Sequence, residues 1–298
     1  MPVHEARLLE GKTLALKIQE EIKAAVSGFS PKPRLVAVQI KHNSSNAEEV
    51  KHAASADWYI GAQEKMAQKL GIIYERFPVE ADQDRIEAAI KKLNEDVNCH
   101  GIFIAMPLPA GLDADRVLLA LNPFKDLEGV SPSSLGLIVL RKGKLIPSTA
   151  YASLLLIEHA VKESGKNLKG MKAVIVGQSA IVGRPLQLLL GERRVTTTVC
   201  NTGTTQQDLE NAVAHADIVV GCAGQPEMIK GAWIKEGAIV IDVGTTEVNG
   251  KLVGDVEFEE AKKRASYITP VPGGVGPLTV TMLMQNLIHA YKWQKGIH

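Results

Sequence analysis

The chain lacks the features that mark several classes of protein. Its three cysteines are widely spaced in 298 residues, which argues against a disulfide framework or a paired-cysteine zinc site. No apolar run approaches the roughly 20 residues of a membrane-spanning helix, and residues 1–10 hold no apolar core of a secretory signal. A net charge of +1 gives no basic surface for nucleic acid or anionic lipid. We therefore expect a cytoplasmic protein with no metal, nucleic-acid or membrane partner.

What the sequence does contain is a strand and helix rhythm that occurs twice. The first series includes an apolar, β-branched segment at 34–40, and the second begins after Pro147 with another such segment at 172–176. Alternating strands and helices predict mostly parallel sheets covered by helices. Because domains usually hold about 100 to 200 residues, the length fits two of them. We predict two α/β domains.

A glycine-containing loop joins the segment 172–176 to the helix that follows. Residues 177–183 read GQSAIVG, one residue longer than the usual G-x-G-x-x-G pattern. Strand, glycine loop and helix together favour a dinucleotide site, because the helix N-terminus would face a pyrophosphate; a tight turn without a ligand is the alternative. The predicted cofactor residues here are Gly177, Gln178, Ser179, Val182, Gly183 and Arg184.

Residues 270–279 read PVPGGVGPLT, with three prolines and three glycines. Such a run predicts a rigid loop that holds backbone amides against a ligand, or else a structural turn before the apolar helix predicted from Val280. Together with Lys125-Asp126 and the 177–183 loop, this segment closely resembles the bifunctional methylenetetrahydrofolate dehydrogenase/methenyltetrahydrofolate cyclohydrolase family over nearly the whole chain.

The resemblance implies a fold, ligands and site residues. It implies a catalytic folate-binding domain, residues 1–148 plus 280–298, a Rossmann-like domain, residues 149–279, a cleft between them, and a homodimer. It implies tetrahydrofolate as substrate or acceptor and NAD or NADP as cofactor, a choice that the sequence leaves open. The substrate-binding residues it implies are Tyr59, Asp126, Glu128, Pro272, Gly273, Gly274 and Val275. The cofactor residues it adds are Thr202, Gly276 and Thr279.

Several positions depart from the family's pattern at its proton-transfer site. The family has a Tyr-x-x-x-Lys pair, which a helix would place on one face; here the pair is Tyr59 and Gln63. Ala105 replaces a glutamine, and Glu128 replaces an aspartate. Residues 147–150 read PSTA where the family has PCTP. We predict that the chain is a divergent member of the family that lacks the usual catalytic lysine. Its predicted catalytic residues are Tyr59, Gln63 and Glu128.

The polar segment Lys41–Asp57 is about eight residues longer than the resemblance leads one to expect. His42 or His52 supplies replacement chemistry, or the segment is a solvated loop. Three functions stay open: an NAD(P)-dependent 5,10-methylenetetrahydrofolate dehydrogenase with weak or absent cyclohydrolase activity, a methyl or one-carbon transferase that uses the folate as nucleophile, and a non-catalytic folate-binding paralogue.

Overall fold

The computed structural model describes residues 5–41 and 47–297, without the side chains of 47–49, 51 and 52. The chain forms two units. One, here the six-stranded unit, comprises the described residues up to 16 and residues 147–282; the other, the three-stranded unit, comprises 17–146 and the described residues from 283 onwards. No helix in the described ranges is long and apolar enough to cross a membrane.

The elements follow one another in this order: β1 (Arg7–Leu8), α1 (Gly11–Ser27), β2 (Arg34–Ile40), α2 (Ala47–Leu70), β3 (Ile73–Val79), α3 (Gln83–Glu95), β4 (Gly101–Ile104), α4 (Ala114–Leu119), α5 (Pro132–Val139), α6 (Ser148–Glu163), β5 (Lys172–Val176), α7 (Gly183–Glu192), β6 (Thr196–Cys200), α8 (Gln206–Ala214), β7 (Ile218–Gly221), a 3₁₀ turn (Gly231–Trp233), β8 (Ile239–Asp242), β9 (Thr246–Val248), β10 (Lys251–Val253), α9 (Phe258–Lys262), β11 (Tyr267–Ile268) and α10 (Val275–Gln294).

The six-stranded unit is built on a parallel sheet of order β1-β11-β8-β7-β5-β6. Strands β5, β7 and β8 are almost entirely apolar because helices cover both faces of such a sheet. β5 pairs with β6 on one side and with β7 on the other. The chain therefore reverses its direction of winding between β5 and β7, and their carboxyl ends form the crevice where open parallel sheets bind ligands.

The three-stranded unit holds a parallel sheet of order β3-β2-β4. Alternate residues of β2 point to opposite faces: Leu35 and Ala37 belong to a core that includes residues of α2 and α10, whereas Val36 and Val38 belong to a core that includes residues of α3. The central strand is thus buried on both sides. This explains why its sequence is a continuous apolar run rather than an alternating one.

The N-terminal boundary differs from the predicted one. We placed residues 1–148 in a single domain, but the described residues up to 16 belong to the six-stranded unit. The physical reason is that β1 pairs in parallel with β11 at the edge of the larger sheet. β1 has only two residues, too few for the alternating pattern from which strands are predicted.

Two helices are longer at their N-termini than predicted. α2 begins at Ala47, so much of the predicted loop Lys41–Asp57 is helical; His42 and the side chain of His52 lie outside the described residues. α10 begins at Val275 rather than Val280. Pro277 is tolerated in its first turn because the first amides of a helix have no intrahelical partner to lose.

Candidate functional site

Tyr59 and Gln63 lie one helical turn apart in α2, and Tyr74 of β3 completes their hydrogen-bonding group. The Tyr74 hydroxyl donates to Gln63 Oε1 at 3.1 Å. Gln63 is fully buried, yet its Nε2 has no partner among the described residues. A buried donor without a partner is costly, so this amide nitrogen is well suited to donate to a ligand.

Glu128 brings a second unpartnered atom to the same group. Its Oε1 is buried and makes no hydrogen bond within the described part of the chain. Burial, and then the negative charge of Asp126, raises the pKa of Glu128 to about 7. Burial, followed by the charge of Glu128, raises the pKa of Tyr59 well above its usual range, so Tyr59 stays protonated. Its ring packs edge-on against Phe103, with centroids 5.7 Å apart.

Lys125 and Asp126, which precede Glu128 in the same motif, form hydrogen bonds to the backbone around them. Lys125 is buried and donates to the carbonyls of Leu93, Asn94 and Asp96 at 2.8 to 2.9 Å, which satisfies the C-terminal end of α3. Asp126 accepts from the amides of Gly129 at 3.0 Å and Ser131 at 2.8 Å. Both Asp126 oxygens therefore hold the turn that carries Glu128. A pterin contact by Asp126 stays a prediction.

The loop between β5 and α7 fits the phosphates of a dinucleotide. Gly177 has φ +123°, and a Cβ there would overlap the Cys222 carbonyl; a Cβ at Gly183 would overlap the Gly177 carbonyl. Ser179 fixes the turn, because its Oγ accepts from the Val182 amide at 3.2 Å and its carbonyl accepts from the Arg184 amide at 3.1 Å. The backbone thus reaches the helix N-terminus by a path that side chains would block.

The other predicted cofactor residues fall into two sets. Gln178 is exposed and its Oε1 accepts from Asn201 Nδ2 at 3.4 Å, which places Thr202, also exposed, beside the loop. Thr279 is buried, and its hydroxyl donates to the Val275 carbonyl within α10 at 3.2 Å. No described contact joins Thr279 or Gly276 to the loop. Their cofactor roles, like that of the exposed Arg184, stay predictions.

The segment 270–274 joins β11 to α10 and packs against the start of α1. The Gly11 amide donates to the Gly273 carbonyl at 3.1 Å, and a Cβ at Gly11 would overlap the Gly274 carbonyl. A Cβ at Gly274 would lie 2.6 Å from that of Thr269. These glycines therefore have a packing reason to be glycine. Substrate binding by Pro272, half-buried Gly273, and buried Gly274 and Val275 stays a prediction.

Sequence reasoning missed two residues that support the folate-side group. Asn286 donates through Nδ2 to the carbonyls of Leu127 and Ile146, each at 2.8 Å, and so fixes the backbone beside Glu128. Tyr74, described above, hydrogen-bonds to Gln63. Tyr74 and Arg76 are two residues apart on β3, so their side chains lie on the same face of the strand. Arg76 faces α2 and pairs with Glu64 at 2.7 Å, and this spacing is the signal that could have pointed to Tyr74. Among the described residues no group of three or more His, Cys, Asp or Glu could hold a metal ion.

Comparison with known proteins shows the family to which the chain belongs. Residues 9–128 match the family model described as tetrahydrofolate dehydrogenase/cyclohydrolase, catalytic domain, and residues 147–295 match its NAD(P)-binding domain. The bifunctional protein FolD of Geotalea uraniireducens is 41% identical over 96% of this chain and 99% of its own. A Trypanosoma brucei methylenetetrahydrofolate dehydrogenase-cyclohydrolase, solved with NADP and inhibitor, superposes with a TM-score of 0.86 at 35% identity, covering 98% of this chain and 99% of its own. The bifunctional enzyme of Campylobacter jejuni also gives 0.86, at 33% identity and 96% and 99% coverage. The chain belongs to the tetrahydrofolate dehydrogenase/cyclohydrolase family.

Proposed function

We propose that the protein is an NAD(P)-dependent 5,10-methylenetetrahydrofolate dehydrogenase with weak or absent cyclohydrolase activity. The observation that supports weak or absent cyclohydrolase activity is Gln63, a buried amide at the position where the resemblance places the acid/base lysine. An amide holds a hydrogen bond in a fixed direction but does not exchange protons near neutral pH. The general acid/base contribution, about 10² to 10⁴-fold, is therefore lost at this position.

Dehydrogenation depends on how the site holds the folate. When bound, the nicotinamide supplies the ring that accepts the hydride. Tyr59, fixed in its protonated form, flanks the pterin, and Gln63 Nε2 and Glu128 Oε1 provide a donor and a carboxyl oxygen that have no described partner. Positioning of this kind requires no side-chain acid.

The charge of the site also favours dehydrogenation over hydrolysis. Removal of a hydride leaves positive charge on the one-carbon bridge of the folate. Gln63 meets that charge with a neutral amide in place of an ammonium group, and Glu128, with a pKa of about 7, meets it with a carboxyl group that is partly ionised at neutral pH. The methenyl product is thus accommodated while the proton donor for its hydrolysis is missing.

Two other groups could exchange protons in principle. Lys65 is exposed two positions after Gln63 and so lies on another face of α2. Glu128 remains close to the reacting group, and any residual cyclohydrolase activity is assigned to it. The replacement of the family's glutamine by Ala105 removes a second polar side chain from the reaction site.

Three further properties complete the proposal. Tetrahydrofolate derivatives are the substrates, and NAD or NADP is bound at the 177–183 loop. The protein acts as a homodimer formed through its NAD(P)-binding domains. Its location is the cytoplasm. The support for all three is family membership, and the fit of the glycine loop to phosphates supports the cofactor.

The test is to supply the purified protein with 5,10-methylenetetrahydrofolate and saturating NAD⁺ or NADP⁺. We expect cofactor reduction and accumulation of the methenyl product, with hydrolysis of added 5,10-methenyltetrahydrofolate close to its uncatalysed rate. No reduction of either cofactor would overturn the dehydrogenase proposal. Rapid hydrolysis would overturn the loss of cyclohydrolase activity.

The same titrations separate the two alternatives. The relatives reported above are named for dehydrogenase and cyclohydrolase activities, so they give the transferase no support. Tetrahydrofolate binding without dinucleotide binding would favour a transferase, and a purified protein that binds folate but catalyses neither reaction would favour a non-catalytic paralogue.

A further inference from the structure

Asp255 is a buried acid in the six-stranded unit, just after the hairpin of β9 and β10. Its Oδ2 accepts from two consecutive amides, those of Ala223 at 2.5 Å and Gly224 at 3.0 Å. Its Oδ1 is buried and has no hydrogen-bond partner in the part of the chain that the structure describes. Asp255 thus fixes the segment that follows β7 and leaves one oxygen without a protein donor.

Asp242, the last residue of β8, holds Asp255 in turn. Its Oδ1 accepts from the amides of Gly244 at 3.0 Å and Asp255 at 2.9 Å, and its Oδ2 accepts from the Val256 amide at 2.9 Å. Within residues 5–41 and 47–297, no lysine, arginine or histidine forms an ion pair with either carboxylate. Two adjacent buried carboxylates without a cation are unfavourable when both are charged.

The segment held by Asp255 lies beside the glycine loop. The Cys222 amide donates to the Val176 carbonyl at 2.8 Å, and a Cβ at Gly177 would overlap the Cys222 carbonyl. This is the carboxyl-end crevice between β5 and β7. A dinucleotide whose phosphates lie at residues 177–183 extends its second half across the carboxyl ends of β7 and β8.

We propose that Asp255 is a positioning residue, which holds Ala223 and Gly224 in place for the nicotinamide half of the dinucleotide. The proposal rests on dinucleotide binding, one part of the function proposed above, and is independent of which folate reaction follows.

Burial favours the protonated forms of both carboxyl groups. Burial raises the pKa of Asp242 to about 7 and also raises the pKa of Asp255. The other titratable group that faces the pair is Cys222, whose pKa burial and then the two carboxylates raise to about 12, so it stays a neutral thiol. Because the pair holds a proton near neutral pH, asparagine at 255 should imitate its neutral member: one amide oxygen still accepts from both backbone amides.

The experiment measures the Kd of NAD⁺ and of NADP⁺ by calorimetry, with thermal unfolding in parallel. We expect Asp255→Asn to bind within about threefold of the unaltered protein and Asp255→Ala to bind about tenfold or more weakly. The matched control is Asp217→Ala. Asp217 directly precedes β7, at the amino-terminal ends of the parallel strands and so at the opposite end from the crevice. It accepts from the Lys172 amide at 2.9 Å and pairs with Lys235. The Asp217→Ala substitution should lower the Tm without changing the Kd of either dinucleotide.

A pH series keeps the proposal testable even if Asp255→Ala fails to fold. As pH rises from 6 to 9 the proton that burial favours on this pair of carboxyls is lost, so affinity should fall in the unaltered protein but not in Asp255→Asn. Each of four results would overturn the proposal. They are unchanged dinucleotide binding by a folded Asp255→Ala, a tenfold loss of affinity in Asp255→Asn, identical pH profiles of affinity for Asp255→Asn and the unaltered protein, and a loss of affinity in Asp217→Ala equal to that in Asp255→Ala. Failure of the unaltered protein to bind either dinucleotide would instead contradict the proposed function.

Discussion

At the scale of single residues, the proposed loss of cyclohydrolase activity depends on position 63. We predict that Gln63→Lys combined with Ala105→Gln gains cyclohydrolase activity by about 10²-fold, because the lysine restores a group that exchanges protons and the glutamine gives it a partner. Burial would lower the pKa of that lysine, and the nearby carboxyl of Glu128 would oppose the shift. Hydrolysis of added 5,10-methenyltetrahydrofolate measures the gain.

The control for this gain is Lys65→Gln, which removes an exposed lysine from the same helix. It should leave both activities unchanged. If the unaltered protein did hydrolyse 5,10-methenyltetrahydrofolate and Lys65→Gln abolished that activity, Lys65 and not position 63 would supply the proton. No gain in a folded double variant would show that the missing lysine is not what limits hydrolysis.

Glu128 makes a separate prediction about stability. Its pKa is about 4.5 when exposed and about 7 in the folded protein, so the folded state holds the proton more tightly. The resulting stabilisation is fully present below pH 4.5 and is lost as pH rises through about 7. We expect Glu128→Gln to be more stable than the unaltered protein at pH 8 by an amount on the order of 2 kcal/mol, and this difference to shrink at pH 5.

Thermal unfolding at the two pH values measures the difference. Glu95→Gln is the matched control, because Glu95 is exposed at the end of α3 in the same unit. It should shift the Tm equally at both pH values. A Glu128→Gln difference that stayed constant from pH 5 to pH 8 would contradict a carboxyl titrating near neutrality.

At the scale of elements, strongly patterned segments were predictable and short or context-dependent ones were not. β2 and β5 have the predicted bounds, because apolar β-branched runs bounded by polar residues indicate buried strands. The hairpin of β9 and β10 was missed, although Asn249-Gly250 between its strands, both with positive φ, is a strong turn signal.

The candidate site was predictable only where a motif carried it. Gln63 and Glu128 were predicted because they depart from the pattern that the resemblance implies, and no sequence pattern showed that each has an unpartnered buried atom. Asn286 contacts Leu127 across 159 positions of the sequence, and Asp255 holds Ala223 across 32. Such contacts depend on the path of the backbone, which a single sequence does not reveal.

The glycine loop gives the prediction at this scale. A methyl group at residue 183 would overlap the Gly177 carbonyl, so Gly183→Ala should displace the loop and weaken NAD(P) binding by about tenfold or more. Gly191→Ala in the same helix is the control. A Cβ there meets nothing within 4 Å, and the change should raise stability by about 0.5 to 1 kcal/mol without altering affinity. Equal effects of the two variants on Kd would contradict a phosphate role for the loop.

At the scale of the whole molecule, the proposed homodimer can be tested through the β9 and β10 hairpin of the six-stranded unit. Two-stranded hairpins are marginally stable alone in water. In this hairpin Val248 is 38% exposed to solvent and Leu252 is 48% exposed. Exposure of such apolar side chains is unfavourable for a surface with no partner. Leu252 shares one face of the hairpin with its partner Glu247, whereas Val248 lies on the other face. Contact of the first face with a second subunit would bury Leu252 and support the hairpin.

We therefore predict that Leu252→Lys shifts the protein from a species of twice the 32.1 kDa chain mass towards the monomer in sedimentation velocity. Lysine is chosen because Glu247 is the direct cross-strand partner of residue 252, so the hairpin itself keeps a favourable pair while the interface receives a charge. Leu140→Lys, at an equally apolar side chain that is 65% exposed in the other unit, should leave the mass unchanged. A monomeric unaltered protein would contradict the homodimer, whereas a dimer insensitive to Leu252→Lys would place the interface elsewhere.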